Sequence, residues 1–256
     1  MTTVAAATSF THAEAVMGTV VGVASPHPLP ADALGAAMGM LHDADRVFST
    51  WNPASPLSQL RGGHAALEDL DARDAATIAL VLERCALARE WTGGAFDPWA
   101  MPGGVDPTGL VKGWAAQRAL DALVAAGAGV VMVNAGGDIA TAGRPDEGPW
   151  RIGIRHPAQP HAYAAIVEVT GAVATSGDYE RPGQLIDPAT GRAARLAASA
   201  TVTGPHLDLV DALATGLAVG GHPVLAAIDR LPGYEAYLIT DSGRHYATPA
   251  MAFAAP

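Results

Sequence analysis

The chain has 256 residues, half of them apolar, and 25 acidic against 15 basic side chains give a net charge of −10. A pI near 5.2 with no basic cluster excludes nucleic acid as a partner, because its recognition rests on Lys and Arg neutralising phosphates. The apolar half excludes a disordered chain, and a single cysteine, Cys85, excludes an internal disulfide or a thiolate metal cage.

The N-terminal dozen residues carry no basic region and no long apolar run, so a signal peptide is not expected. No segment reaches the ~18 apolar residues of a membrane span, which leads us to expect a cytoplasmic protein. Residues 1–16 are expected to be loosely ordered, and the whole chain, 1–256, to form a single domain. β-Branched residues over 17–24 predict a first strand, broken by Ser25-Pro26-His27-Pro28. Helical spacing predicts a helix over 31–47, with Asp32 near its start, and a longer one over Ala72–Trp91, stopped by Gly93-Gly94. Cys85 falls in the apolar pattern of the second, which marks it as a packed core thiol. A third helix is predicted over 114–126, after Gly113 and ending at Gly127. Strands follow at 130–134, Asp138–Ala142, 150–155, 164–169, 172–175 and 198–202. A helix over 209–219, another over 222–230 and a strand over 234–240 complete the chain. Helices and strands come in clusters, which favours an α+β fold over a doubly wound one.

Three segments have the residue types of a site. Asn134-Ala135-Gly136-Gly137-Asp138 joins two strands, and amides exposed by paired glycines can cradle phosphate oxygens, although such pairs also serve plain turns. Fourteen of the fifteen basic residues are Arg; the exception, Lys112, lies in Asp106-Pro107-Thr108-Gly109-Leu110-Val111-Lys112-Gly113, just before the predicted helix 114–126, a place suited to anions. Asp211 and Thr215, four apart, share one helical face and can hold a hard cation such as Mg²⁺; alone, they equally fit a helix-terminal charge and a Thr bonded to its own helix. His206 is the histidine near this last segment.

The order of these segments resembles the ApbE family, the FAD:protein FMN transferases. The resemblance rests on Met17-Gly18-Thr19, Phe48-Ser49-Thr50-Trp51, Gly94-Ala95-Phe96-Asp97-Pro98, the Asp106 segment, Asn134–Asp138 in its Gly-Gly form, Ala174-Thr175-Ser176-Gly177-Asp178-Tyr179, Ile186-Asp187-Pro188-Ala189-Thr190-Gly191 and Asp211-Ala212-Leu213-Ala214-Thr215. It implies an α+β, two-lobed fold with FAD in a cleft between the lobes. The implied activity is Mg²⁺-dependent transfer of FMN from FAD to a Thr or Ser of an acceptor protein, releasing AMP. The implied metal ligands are Asp211, Thr215 and the carbonyl of Val111. Met17, Trp51, Ala95, Phe96 and Asp97 would line the flavin and adenosine, joined by Asp106 and Ser176, with Lys112 and Gly136-Gly137 near the diphosphate. Gln184 stands where members of the family commonly carry a His that helps activate the acceptor hydroxyl; a glutamine orients a nucleophile but does not take its proton. Asp178 and His206 are therefore candidates for the base. Gln184 also favours two alternatives, hydrolysis of FAD to FMN and AMP, or FAD binding without turnover.

Overall fold

Phe10–Val16 (β1) and Thr19–Ser25 (β2) form a hairpin in register from Phe10 opposite Ser25 to Val16 opposite Thr19. Its two-residue turn, Met17-Gly18, has φ of +55° and +67°, the left-handed pair that suits a tight hairpin. The computed structural model describes residues 10–145, 148–177, 183, 185–194 and 196–254. The hairpin corrects two expectations. Residues 10–16 are a strand, not a loose terminus, and Met17 is a turn residue, not the start of a strand. The inward-facing positions of β1 include His12 and Glu14, which break the apolar alternation a sequence reading needs. Glu14 is paired with His42 and lies 3.5 Å from His12.

Ala31–Phe48 (α1), Pro56–Arg61 (α2), Ala72–Trp91 (α3) and Thr108–Ala125 (α4) follow. Then come the strands Val131–Ala135 (β3), Asp138–Ala142 (β4), Trp150–His156 (β5), Gln159–Val169 (β6), Ala172–Ser176 (β7), Ile186–Asp187 (β8), Arg192–Ala193 (β9) and Ala197–Gly204 (β10). Leu207–Gly220 (α5), His222–Ile228 (α6), Glu235–Thr240 (β11) and His245–Ala247 (β12) complete the order. Eight strands form one antiparallel sheet in the order β1-β2-β3-β4-β7-β10-β11-β12. The α+β expectation holds.

The central strands are buried on both faces, and the period of two assigns each side chain to a core. Val131 and Val133, Ala172 and Ala174, and Ala236 and Leu238 join the core with the helices. Met132, Val173, Tyr237 and Ile239 face the other way, onto the β5–β6 hairpin. α4 packs against α1 and α5, with Phe48 edge-on to Trp114 at 5.7 Å between ring centroids. Among the described residues no helix is long and apolar enough to cross a membrane.

Two bidentate ion pairs tie the helices together. Arg46 of α1 donates to Asp74 of α3 at 2.6 and 2.8 Å, and Arg84 of α3 donates to Asp208 of α5 at 2.7 and 3.1 Å. The Arg46 guanidinium holds the Asp74 carboxyl below the usual carboxylate range. A depressed folded value adds stability above the unfolded pKa and loses it as pH falls through the folded one. Asp74→Asn should therefore cost about 1 kcal/mol at pH 7, kept small because Arg46 is half exposed, and progressively less as pH falls below the usual carboxylate range, as urea titrations along a pH series would read. Cys85 is fully buried, and its thiol is pushed up to about 12 by burial, helped by the Asp208 and Asp106 charges. Iodoacetamide at pH 8 should label it in the folded chain at less than about a tenth of the rate in the denatured chain, followed by mass spectrometry.

Candidate functional site

α4 starts at Thr108, six residues before the predicted start, so Lys112 lies inside the helix and not ahead of its N-terminus. Glycine is a poor helix former, and two of them in this stretch hid the start. Gly113 is required by contact: a Cβ there would sit 2.5 Å from the Leu207 carbonyl oxygen and 2.8 Å from Asp211 Cβ. The missing side chain lets α4 and α5 approach, and the Gly113 amide donates to Asp211 Oδ2 at 3.0 Å. A Cβ at Gly109 would lie 3.2 Å from the Phe96 ring and 3.6 Å from Thr215 Oγ1.

These helices form one wall of a cavity of about 570 Å³. The hairpin turn brings Met17; the segments after α1 and α3 bring Trp51 and Ala95, Phe96 and Asp97. Asp106 comes from just ahead of α4, Val111 and Lys112 from its start, Gly136 from the β3–β4 turn, Ser176 from the end of β7, and Asp211 and Thr215 from α5. Residues up to about 200 positions apart in the chain thus share one space, lying between segments from the N-terminal half and segments from the C-terminal half, which a single sheet joins. Asp178 and Gln184 lie outside the described residues.

Two expected members are elsewhere. His206 is exposed at the N-cap of α5 and does not line the cavity. Five helical residues turn through about 500°, so it cannot share the stripe of Asp211 and Thr215. Gly137 is also off the cavity wall, and the phosphate cradle expected of Gly136-Gly137 is not formed by their amides. The Gly136 amide donates to Val20 O at 3.2 Å and that of Gly137 to Asn134 Oδ1 at 2.8 Å. The pair serves as the β3–β4 hairpin turn, with φ of +63° and +107°. A Cβ on Gly136 would lie 2.5 Å from Thr19 Oγ1, so close packing explains that glycine.

The charges are arranged around α4. Lys112 is paired with Asp138, which is 2% exposed and also accepts from the Thr175 amide at 3.3 Å. Asp211, 4% exposed, has its carboxyl held well above the usual range by burial, with Lys112 opposing and Asp138 adding to the shift. Thr215 Oγ1 and Ser176 Oγ share a hydrogen bond of 3.2 Å. Asp97 Oδ2 accepts from Arg89 Nε at 2.6 Å and Oδ1 from the Trp99 amide at 3.0 Å. Trp51, 94% exposed, stands at the rim. The sequence reading missed Asp138 as the partner of Lys112, and missed Asp45 and Thr108 on the cavity wall. An Asp after a Gly-Gly turn was visible as a motif; its pairing 26 positions away was not.

The model of the ApbE family matches residues 101–238. The FAD:protein FMN transferase of Rhodobacter capsulatus is 36% identical over 157 residues, covering 57% of this chain and 30% of that protein. The FAD:protein FMN transferase of Vibrio cholerae serotype O1 is 33% identical over 159 residues, covering 56% of this chain and 48% of that protein. The matched stretches thus span less than half the length of either relative. Among solved structures, the flavin transferase ApbE from Vibrio cholerae superposes with a TM-score of 0.79 at 24% identity, covering 94% of this chain and 97% of the other. The ApbE protein of Thermotoga maritima gives 0.79 at 22% identity over the same shares. The family model spans more than half of the chain, and the chain belongs to the ApbE family.

Proposed function

We propose that this protein transfers FMN from FAD to a Thr or Ser hydroxyl of an acceptor protein and releases AMP, with Mg²⁺ as cofactor. The observation that carries the reading is the meeting of Val111, Lys112, Asp211 and Thr215 on one cavity wall. A buried carboxylate, a hydroxyl and a main-chain carbonyl form an all-oxygen donor set, the chemistry that suits Mg²⁺. The environment fits as well: Asp211 is buried with its ionised form disfavoured, and a bound cation would relieve that. Asp211, Thr215 and the Val111 carbonyl would hold the ion, which supplies charge neutralisation on the diphosphate oxygens.

The chain's own groups then bind and orient. Met17, Ala95, Phe96 and Trp51 offer apolar and aromatic surface for the flavin and adenine rings. Lys112, paired with Asp138, contributes positive charge on the diphosphate side, which matters in a protein of net charge −10. The acceptor hydroxyl attacks the FMN phosphorus, the bond to the bridging oxygen breaks, and AMP leaves with that oxygen. Gln184 would orient the hydroxyl. Asp178 is the candidate for taking its proton; the place of His206 outside the cavity gives it no support.

Incubating the full chain with FAD and Mg²⁺, with and without a candidate acceptor, tests this. Acceptor-dependent AMP and a flavin-labelled acceptor are expected; no label on any acceptor and no AMP would sink it. The side chain of Gln184 favours a second reading, FAD hydrolysis by water, which acceptor-independent FMN and AMP would identify.

A further inference from the structure

Asp106 lines the cavity, yet both of its oxygens are engaged by the protein. Oδ2 accepts from Arg61 Nη1 at 2.8 Å, while Oδ1 accepts from the Thr108 amide at 3.1 Å and the Thr108 hydroxyl at 2.6 Å. Arg61 does not line the cavity. It is the last residue of α2, its side chain is 15% exposed, and its Nη2 donates to Pro102 O at 3.0 Å. The chain between Pro102 and Asp106 is folded onto it: Gly104 takes φ of +104°, and a Cβ there would lie 2.9 Å from Arg61 O. Pro107, the cap of α4, offers no side-chain acceptor, so Asp106 does that work from one position earlier.

We infer that Arg61 is a positioning residue for FMN transfer, acting through Asp106 to fix the first turn of α4 at the cavity wall. The inference rests on the function proposed above. The rigid guanidinium fork makes one bond to the carboxylate and one to the loop carbonyl, so it sets the two relative to each other. The carboxylate in turn fixes Thr108, whose turn of helix determines where the Val111 carbonyl and the Lys112 stem emerge. Asp106 is thereby reassigned from contact with FAD to support of the groups that make it. An error of about 1 Å in such groups costs on the order of 100-fold in rate.

The test uses the full chain, FAD and Mg²⁺, with AMP release followed as a function of both. Arg61→Ala should lower kcat by at least about tenfold and raise the half-saturating Mg²⁺ severalfold, with less effect on KM for FAD. Arg61→Lys, which keeps the charge but not the fork, should recover only part of kcat while melting close to the wild type. Asp106→Asn keeps one acceptor oxygen and sets an NH2 donor in place of the other, so it breaks either the Arg61 bond or the Thr108 bonds and should lower kcat about as far as Arg61→Ala. Hydrogen exchange of residues 108–112 should quicken in Arg61→Ala. If Arg61→Ala does not fold, Arg61→Lys and Asp106→Asn carry the comparison. Variants that lose only thermal stability, with kcat and the Mg²⁺ dependence within about twofold of wild type, would make Arg61 structural and overturn the inference. A wild-type chain that releases no AMP overturns the function itself, and this inference with it, before any variant is made.

Discussion

Asp211→Asn is expected to slow AMP release from FAD by at least about 100-fold, equivalent to about 3 kcal/mol of transition-state stabilisation, because it removes the negative ligand from an otherwise neutral donor set. The same variant should melt at or above the wild-type temperature in the absence of metal. The reason is the site's electrostatics. The carboxylate is 4% exposed and its ionisation is opposed by burial and by Asp138. An amide of the same shape still accepts from the Gly113 amide and carries no charge to desolvate. Stability and activity should therefore move in opposite directions, a split that chromatography of AMP beside a thermal melt would read. Retained turnover in Asp211→Asn would remove Asp211 from the metal site.

The second large effect is on folding. Lys112→Met should destabilise the protein by about 3 kcal/mol, the lower end for stranding a buried charge, since Lys112 itself is a third exposed. What it strands is Asp138, 2% exposed, left with the weak 3.3 Å bond from the Thr175 amide. Adding Asp138→Asn to Lys112→Met should restore more than half of the loss. Urea unfolding of the two single variants and the double one closes the cycle. If the double variant is no more stable than Lys112→Met, the pair is not what holds this region.

Much of this was legible in the sequence, and the exceptions have physical causes. α3 was found at both ends, because Asp71 caps it by accepting from the Arg73 amide and Gly93-Gly94 ends it at positive φ. The start of α4 was missed because Gly109 and Gly113 read locally as helix breakers, while their need for close packing lies in Phe96, Thr215, Leu207 and Asp211. β1 was missed because His12 and Glu14 face inward as a polar group with His42. Most of the named residues that line the cavity stand in ordered motifs, which made them visible. Arg61 was not, since nothing around it in the sequence announces a carboxylate 45 positions on. His206 shows the converse: closeness along the chain was read as closeness to the stripe of Asp211 and Thr215, and it does not line the cavity.

The bare Cα of Gly113 has a thermodynamic corollary. The proposed donors sit on two helices, Val111 on α4 and Asp211 and Thr215 on α5, and that glycine allows the helices to touch. A chain in which α5 has swung away has no assembled donor set, so under the proposed function the ion and FAD would bind only the docked arrangement. By mass action, ligand at 100 times its dissociation constant would favour the docked state by about 2.7 kcal/mol. Occupancy of the cavity and docking of α5 are then two readings of one equilibrium.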